Sequence, residues 1–339
     1  MKDKEFNRQY QAVRENGAGI WNYSTRGLIE VSGAEAVQFL NGLITNDVKA
    51  LENGSWMLAA FPNAQGRLLA IVRVLRKDDK FWFDTGAVTR EKVFQNLFRF
   101  TMAGDFQVHD LSDEYGVLSV QGKKAEEFVA KILGENAANI EKNKFVETEF
   151  NGETISVIRA SHLAENGFDL FVPTSEFNNL WQAFKEIGAI EIGDDLFEVL
   201  RIEAGTPRYG ADMDETTVVL ETGLDEAVNF QKGCYIGQEI IARIHFRGHV
   251  AKKLTGLTLE DLSESVTDGF SSFELTDGLK NAELKSLEGK NAGRITSATF
   301  SPSLGKLIAL AYVRYDYLAE GTELKVNETT AKVKNLPFV

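Results

Sequence analysis

The sequence predicts an α+β fold of more than one domain that ends in a small β-barrel. Three observations point there. The chain is 339 residues long, more than one ordinary hydrophobic core supports. Along most of it, pairs of strand-like runs alternate with single amphipathic helices, the texture of α+β units and not of a doubly wound parallel sheet. Near its end, short β-type runs follow one another with glycine turns between them, the texture of a small barrel.

The elements follow in order. Ser32-Gly33-Ala34-Glu35 reads as a capping-box start for a helix with Val37 and Leu40 on one face and Gly42 as its stop. Residues 66–75 and 80–84 read as strands joined by the polar turn Arg76 to Asp79. Thr89 caps a helix with Val93, Leu97 and Phe100 inward, and a strand over 115–120 precedes a helix over 123–133. Residues 151–172 read as a hairpin with strands near 154–160 and 167–172. Thr174 or Ser175 opens an amphipathic helix carrying Phe177, Leu180, Trp181, Phe184 and Ile187, which Gly188 ends. The next helix begins near Asp195, with Leu196, Val199 and Leu200 on one stripe; another follows Gln238, with Ile240, Ile241 and Ile244 on one side. The texture changes after Lys253. A strand over 254–259 leads into an acidic Ser/Thr/Gly-rich loop or hairpin edge at 260–278. Short strands then fall at 284–287, 293–300, 307–313, 322–326 and 330–334, which places a domain boundary near 248–254.

Composition narrows the function classes. An apolar fraction of 43% and a charged fraction of 26% are those of a globular protein. No apolar run approaches the ~20 residues of a membrane helix. Residues Met1 to Asn16 are polar, with acids at Asp3, Glu5 and Glu15, so neither a signal peptide nor a mitochondrial presequence is expected. The expected location is the cytoplasm, in keeping with one cysteine. A net charge of −13 disfavours nucleic acid as a partner. Against that background, residues 231–253 hold Lys232, Arg243, Arg247, Lys252 and Lys253 with Glu239 as the one acid, together with His245 and His249. Such a basic island suits a small anion; it also suits a plain solvated face. The chain has no G-x-G-x-x-G, P-loop, H-E-x-x-H or C-x-x-C pattern, so dinucleotide, nucleotide and zinc readings lack support.

The run Lys232-Gly233-Cys234-Tyr235-Ile236-Gly237-Gln238-Glu239-Ile240-Ile241-Ala242-Arg243 contains that single cysteine. One thiol forms no internal disulfide and cannot alone hold a metal. Glycines bracket it, Lys232 lies just before it and a helix start just after, an arrangement that favours the thiolate. A buried, inert cysteine is the competing reading. Glu203 falls on the apolar stripe of the helix near Asp195, close to its C-terminal end, where a carboxylate is desolvated and opposes the helix dipole. It needs a partner: Arg201 or Arg208 in an ion pair, or the N–H groups of a buried heterocycle. Phe197 lies near the same stripe and fits a core position as well as a ligand contact. Asp169, in Gly167-Phe168-Asp169-Leu170, points away from its apolar neighbours by strand alternation, which fits a surface aspartate equally well. Asn46 and Asp47 fit turn-formers. Arg243 and Arg247 stand i, i+4 on one helical face, and paired guanidiniums are apt for carboxylates.

The K-G-C-Y-x-G-Q-E-x-x-A-R run resembles the signature of the YgfZ/Iba57 family of folate-binding iron–sulfur cluster assembly proteins, a branch of the T-protein (glycine-cleavage aminomethyltransferase) superfamily. Ser32-Gly33 with Leu40 to Val48, Arg201 to Gly210, and Gly293 to Ser297 with Ser301-Pro302 resemble the superfamily's N-terminal, central and C-terminal segments, so the resemblance spans nearly the whole chain. It implies a three-unit ring: two interleaved α/β subdomains forming a folate-binding region over 18–248, then a β-barrel domain over 249–339. It implies tetrahydrofolate or a derivative as cofactor, with Glu203 on the pterin, Phe197 flanking the site and Asp169 at a superfamily acidic position. Arg243, Arg247 and Lys232 would meet the glutamate tail, and Cys234 would be a reactive thiol. The implied partners are iron–sulfur enzymes or cluster-assembly proteins, among them radical-SAM enzymes of tRNA modification. One departure bears on chemistry. Where T-proteins carry an aspartate thought to act in one-carbon transfer, the run Thr89-Arg90-Glu91-Lys92-Val93 has valine. The resulting expectation is a tetrahydrofolate-binding protein supporting iron–sulfur enzymes. The alternatives are a folate-dependent aminomethyltransferase or one-carbon transferase, and a non-catalytic folate-binding scaffold.

Overall fold

The structure, a computed structural model, describes residues 2–163, 165–259 and 276–339. Most of the loop expected at 260–278 therefore lies outside the described residues. The chain runs α1 (Lys2–Gln11), β1 (Gly19–Asn22), β2 (Gly27–Ser32), α2 (Ala36–Leu43), β3 (Ser55–Pro62), β4 (Leu68–Lys77), β5 (Lys80–Thr85), α3 (Arg90–Phe98), β6 (Gln107–Asp110) and β7 (Tyr115–Gln121). It continues through α4 (Ala125–Leu133), α5 (Glu135–Ala138), β8 (Phe145–Phe150), β9 (Glu153–Arg159), β10 (Gly167–Pro173), α6 (Thr174–Glu186), β11 (Ile190–Glu191), α7 (Asp194–Glu203) and α8 (Gln238–Arg247). The last strands are β12 (Lys252–Leu259), β13 (Glu283–Lys285), β14 (Asn291–Ser301), β15 (Lys306–Arg314), β16 (Glu323–Val326) and β17 (Thr329–Lys334).

Two compact units result: Met1–Gly193 with Glu226–Gln238, and Asp194–Asp225 with Glu239–Val339. The first unit holds two interleaved sheets. The chain gives β1 to a six-stranded sheet, β2 to β6 to a five-stranded sheet, then returns with β7 to β11 to the first; their orders are β11-β1-β7-β10-β9-β8 and β3-β4-β5-β2-β6. Alternation along the strands sorts the side chains. Ile29, Val31, Val72, Val74, Phe81 and Phe83 pack under α2 and α3. From the opposite face Leu28, Leu75 and Trp82 meet Val117, Phe145, Ile158 and Phe171 of the six-stranded sheet. That sheet's remaining face, with Ile20, Leu118, Val157 and Leu170, is covered by α4 and α6. The unit is thus layered helix, sheet, sheet, helix, and each fully buried Leu, Ile or Phe contributes about 1.5–3 kcal/mol of hydrophobic transfer.

In the second unit six strands close into a barrel in the order β12-β15-β14-β13-β16-β17. Along β15, Leu307, Ala309, Ala311 and Val313 fill the interior, where the alanines suit a narrow lumen. The intervening Ile308, Leu310 and Tyr312 pack outside with Ile202 of α7 and Phe338.

The first expected helix is corrected. Ser32 does not cap it; Ser32 ends β2, opposite Gln107 of β6. The helix starts at Ala36, and the Glu35 carboxylate accepts the Asp105 backbone N–H at 2.8 Å instead of closing a capping box. Gly42 lies inside α2, which ends when Ile44 turns extended. Strand pairing with a distant segment outcompeted the local cap.

Candidate functional site

The cysteine-bearing loop is built from two sequence segments far apart in the chain. The Thr45 hydroxyl donates to the Ala227 carbonyl at 2.5 Å, and the Asn229 N–H donates to the Thr45 carbonyl at 3.0 Å. Asn46 Nδ2 donates to the carbonyls of Leu58, at 2.8 Å, and Glu226, at 2.9 Å. The Asn229 Oδ1 then accepts the N–H groups of Gln231 at 2.8 Å and Lys232 at 3.2 Å. The buried Lys232 side chain spends its three donors on the carbonyls of Asn41, Ile44 and Asn46, at 2.8, 2.8 and 2.6 Å. Burial lowers this ammonium to about 8, with Asp47 opposing the shift and Lys49 adding to it. Lys232, expected in the field of an anionic tail, is thus engaged with the C-terminal end of α2.

Cys234 is a free thiol and is exposed, so the buried-cysteine reading does not hold. Gly233 beside it is exposed and Tyr235 is buried; the Ile236 N–H donates to the Gly42 carbonyl at 3.0 Å. Gly237 has φ +78°, and a Cβ there would sit 2.4 Å from the Asn63 carbonyl oxygen, so the turn admits glycine alone without strain. A cavity of about 330 Å³ opens beside the loop, walled by Leu43, Phe61, Leu69 and Ile236, with Asn96 and Arg99 also lining it.

Asp169 is fully buried, not a surface aspartate. Its Oδ2 meets Arg73 Nη1 at 2.5 Å and His162 Nε2 at 2.7 Å. Arg73 also reaches Asp84 at 2.5 Å, and Arg26 grips the same carboxylate with two contacts of 2.5 and 2.8 Å. Burial pushes the Asp84 carboxyl up, but the Arg26 and Arg73 guanidiniums outweigh it and hold the group below the usual carboxylate range. For Asp169 burial is again opposed, by His162 and Arg73, and the carboxyl lies well below that range. These residues bridge the two sheets, since Arg73 and Asp84 come from β4 and β5 and Asp169 from β10.

In the second unit, α7 buries Leu196, Phe197, Leu200 and Glu203. Glu203 has no exposed surface and its Oε1 accepts the Ser301 hydroxyl at 2.5 Å. Arg201 turns instead to Asp212 at 2.8 Å and to Glu198, and Arg208 contacts Glu198 at 3.4 Å. Sequence reasoning missed Ser301 as a partner of Glu203, and missed the Arg201–Asp212 pair that Thr296 and Ser297 extend with hydroxyls at 2.6 and 2.7 Å from Asp212. Nothing local marks such long-range pairs. Arg243 and Arg247 are exposed on α8. Lys253 pairs with Asp225 at 3.7 Å, and the Lys252 ammonium lies over Tyr312 at 4.7 Å. Val93, on the core-facing side of α3, is 1% exposed. Among the described residues no group of three or more His, Cys, Asp or Glu side chains could hold a metal, and no helix is long and apolar enough to cross a membrane.

Two interleaved sheets followed by a closed six-stranded barrel define an aminomethyltransferase-type architecture. The GCVT N-terminal domain model matches residues 2–232, and the glycine cleavage T-protein C-terminal barrel domain model matches 269–339. An aminomethyltransferase of Rubrobacter xylanophilus is 31% identical over 333 residues, covering 97% of this chain and 85% of the relative. One from Bdellovibrio bacteriovorus is 29% identical over 341 residues, covering 98% and 90%. The crystal structure of glycine cleavage system aminomethyltransferase T from Bartonella henselae superposes with a TM-score of 0.84 at 22% identity, covering 98% of this chain and 89% of that one. This chain belongs to the glycine-cleavage T-protein family.

Proposed function

We propose that this protein binds tetrahydrofolate or a derivative and acts as a folate-dependent transferase of the aminomethyltransferase type. The observation that carries this reading is similarity to aminomethyltransferases along the whole chain. The residues fit the ligand. A buried carboxylate with a hydroxyl donor beside it, Glu203 with Ser301, suits the N–H edge of a pterin, and Phe197 on the same helix suits its apolar face. Arg243 and Arg247, exposed one turn apart, suit the carboxylates of a glutamate tail. Asp169, in the first unit with Arg73 and His162 on its Oδ2, is proposed as a cofactor-binding residue from the resemblance. When bound, tetrahydrofolate supplies the nitrogens that accept a one-carbon unit. The folate-binding region is drawn over 18–248 and the barrel domain over 249–339, in a cytoplasmic protein.

A second reading has its own observation. Val93 is buried where the resemblance puts the T-protein aspartate, and Cys234 is exposed within the K-G-C-Y-x-G-Q-E run. Valine exchanges no proton, whereas an exposed thiol can take part in ligation or exchange. That combination favours a YgfZ/Iba57-type role, in which a folate-binding protein supports iron–sulfur enzymes through transient contacts. A turnover assay and a rescue experiment separate the two. With aminomethylated carrier protein and tetrahydrofolate, the transferase reading predicts methylene-tetrahydrofolate formation at catalytic rates. Folate binding without turnover, together with loss of cluster-enzyme activity in a deletion strain that Cys234→Ser fails to rescue, would replace it with the second reading.

A further inference from the structure

We infer that Lys232 is a positioning residue that fixes the presentation of the Cys234 thiol by clamping its loop to the C-terminal end of α2. The geometry is specific. The last carbonyls of a helix lack intrahelical partners and sit at the negative end of its dipole, which makes them acceptors for a cation. Lys232 Nζ reaches one such oxygen, that of Asn41 in the last turn of α2, and the carbonyls of Ile44 and Asn46 in the chain that leaves the helix, all within 2.6–2.8 Å. An ammonium has three N–H donors, so all are used. A ligand carboxylate could recruit this cation only by breaking one of those bonds. The charged and titratable groups around it are Asp47, Lys49 and the Tyr235 ring, whose centroid is 5.1 Å from Nζ.

The consequence for the thiol follows from where the chain goes next. After Lys232 it rises through exposed Gly233 and Cys234, then returns at buried Tyr235 and donates the Ile236 N–H to the Gly42 carbonyl at 3.0 Å. Both feet of this two-residue arch therefore stand on residues 41–46. The Asn229 side chain braces the first foot through the N–H groups of Gln231 and Lys232. Gly237 closes the second foot against Asn63, where no other residue fits. The exposed thiol is thus held at a fixed place by a buried lysine two positions away. The two sequence segments that looked like separate signatures, Leu40–Val48 and Lys232–Arg243, act as one device. The inference concerns the thiol and not the folate, so it stands or falls separately from the proposed function.

The test uses the full chain with Lys232→Met, which keeps the length of the side chain and removes all three donors. The readouts are amide hydrogen exchange at Ile236 and the mobility of a nitroxide attached to Cys234. Exchange at Ile236 should accelerate by about tenfold or more, and the nitroxide should become mobile, because hydrogen bonds to a charged group are lost from the loop's anchor. Lys232→Arg, which restores cationic donors, should recover part of the order. Unchanged exchange and mobility in a folded Lys232→Met protein would overturn the inference. So would a salt-dependent loss of affinity for polyglutamylated tetrahydrofolate with the loop still ordered, since that marks an anion-binding cation. If Lys232→Met does not fold, Lys232→Gln decides on the same readouts. It is neutral and too short to reach all three carbonyls, so faster Ile236 exchange supports the clamp and unchanged exchange overturns it.

Discussion

Two buried sets of charge in the first unit are compensated in opposite ways. Between the sheets, Arg26, Asp84, Arg73 and Asp169 cancel one another in an alternating chain of ion pairs, closed at one end by His162. At the end of α2, Lys232 is buried against neutral carbonyls. The first arrangement is a lock. Every charge has an opposite charge, Asp84 and Asp169 have no exposed surface, and the two sheets are tied at one register. The second is a mount: the lysine holds a loop whose neighbouring cysteine faces solvent. A buried charge answered by another charge fixes a core. A buried charge answered by backbone dipoles can fix a segment and leave its tip free for chemistry.

The largest effect should come from breaking the lock. Arg73→Met leaves the Asp84 and Asp169 carboxylates buried with a partner missing, which costs ~3–5 kcal/mol in comparable buried pairs. Urea denaturation should show the loss as a lower midpoint with little change in slope; a loss near that of a surface pair would remove the lock from the account. Acid sharpens the same point. Both carboxyls lie below their ordinary range in the folded chain, so the unfolded chain binds protons first as pH falls. The stability they contribute is present above the unfolded carboxyl pKa of ~3.9 and is lost as pH falls below it. Arg73→Met should be much less acid-sensitive than the parent.

A smaller effect is expected in the second unit, at the buried carboxylate of Glu203. Ser301→Ala removes the hydroxyl that donates to it and should cost about 1–3 kcal/mol in thermal or urea unfolding. An unchanged midpoint would mean that the hydroxyl contributes nothing to holding Glu203.

The effect expected of the mount is read as a slope with pH and not as a loss at one pH. Burial lowers Lys232 from 10.5 to about 8, so between those values the unfolded chain binds more protons than the folded one. Stability contributed through this group should therefore rise as pH is raised from about 8 toward 10.5. Lys232→Met should lose that slope. A slope of the opposite sign would mean that the carbonyls stabilise the ammonium beyond what burial costs it.

How much of this was legible in the sequence depends on the range of each interaction. The barrel was readable because its strands alternate with period two and are separated by glycine turns, both local signals. Cys234 and its glycines were readable as a motif for the same reason. The acceptors of Lys232 were not, because they lie 186–191 residues away along the chain. Asp169 was misjudged as a possible surface residue because alternation presumes one wet face. In β10 both faces are covered, one by helices and one by the second sheet, and Gly167 through Val172 are all buried. Ser32 looked like a helix cap because capping is judged within four residues, while its pairing with Gln107 is set by a strand 75 residues on. The short β1 and the mixed burial of β3 left no periodicity to read.

The proposed function has this T-protein family member hold a reduced folate through Glu203. Calorimetric titration of tetrahydrofolate into the parent chain and into Glu203→Gln tests it most directly. Saturable binding to the parent is expected, weakened about tenfold or more in Glu203→Gln, because a charged acceptor for pterin N–H groups becomes neutral. Absence of binding to the parent, or equal affinity in the two proteins, would contradict it.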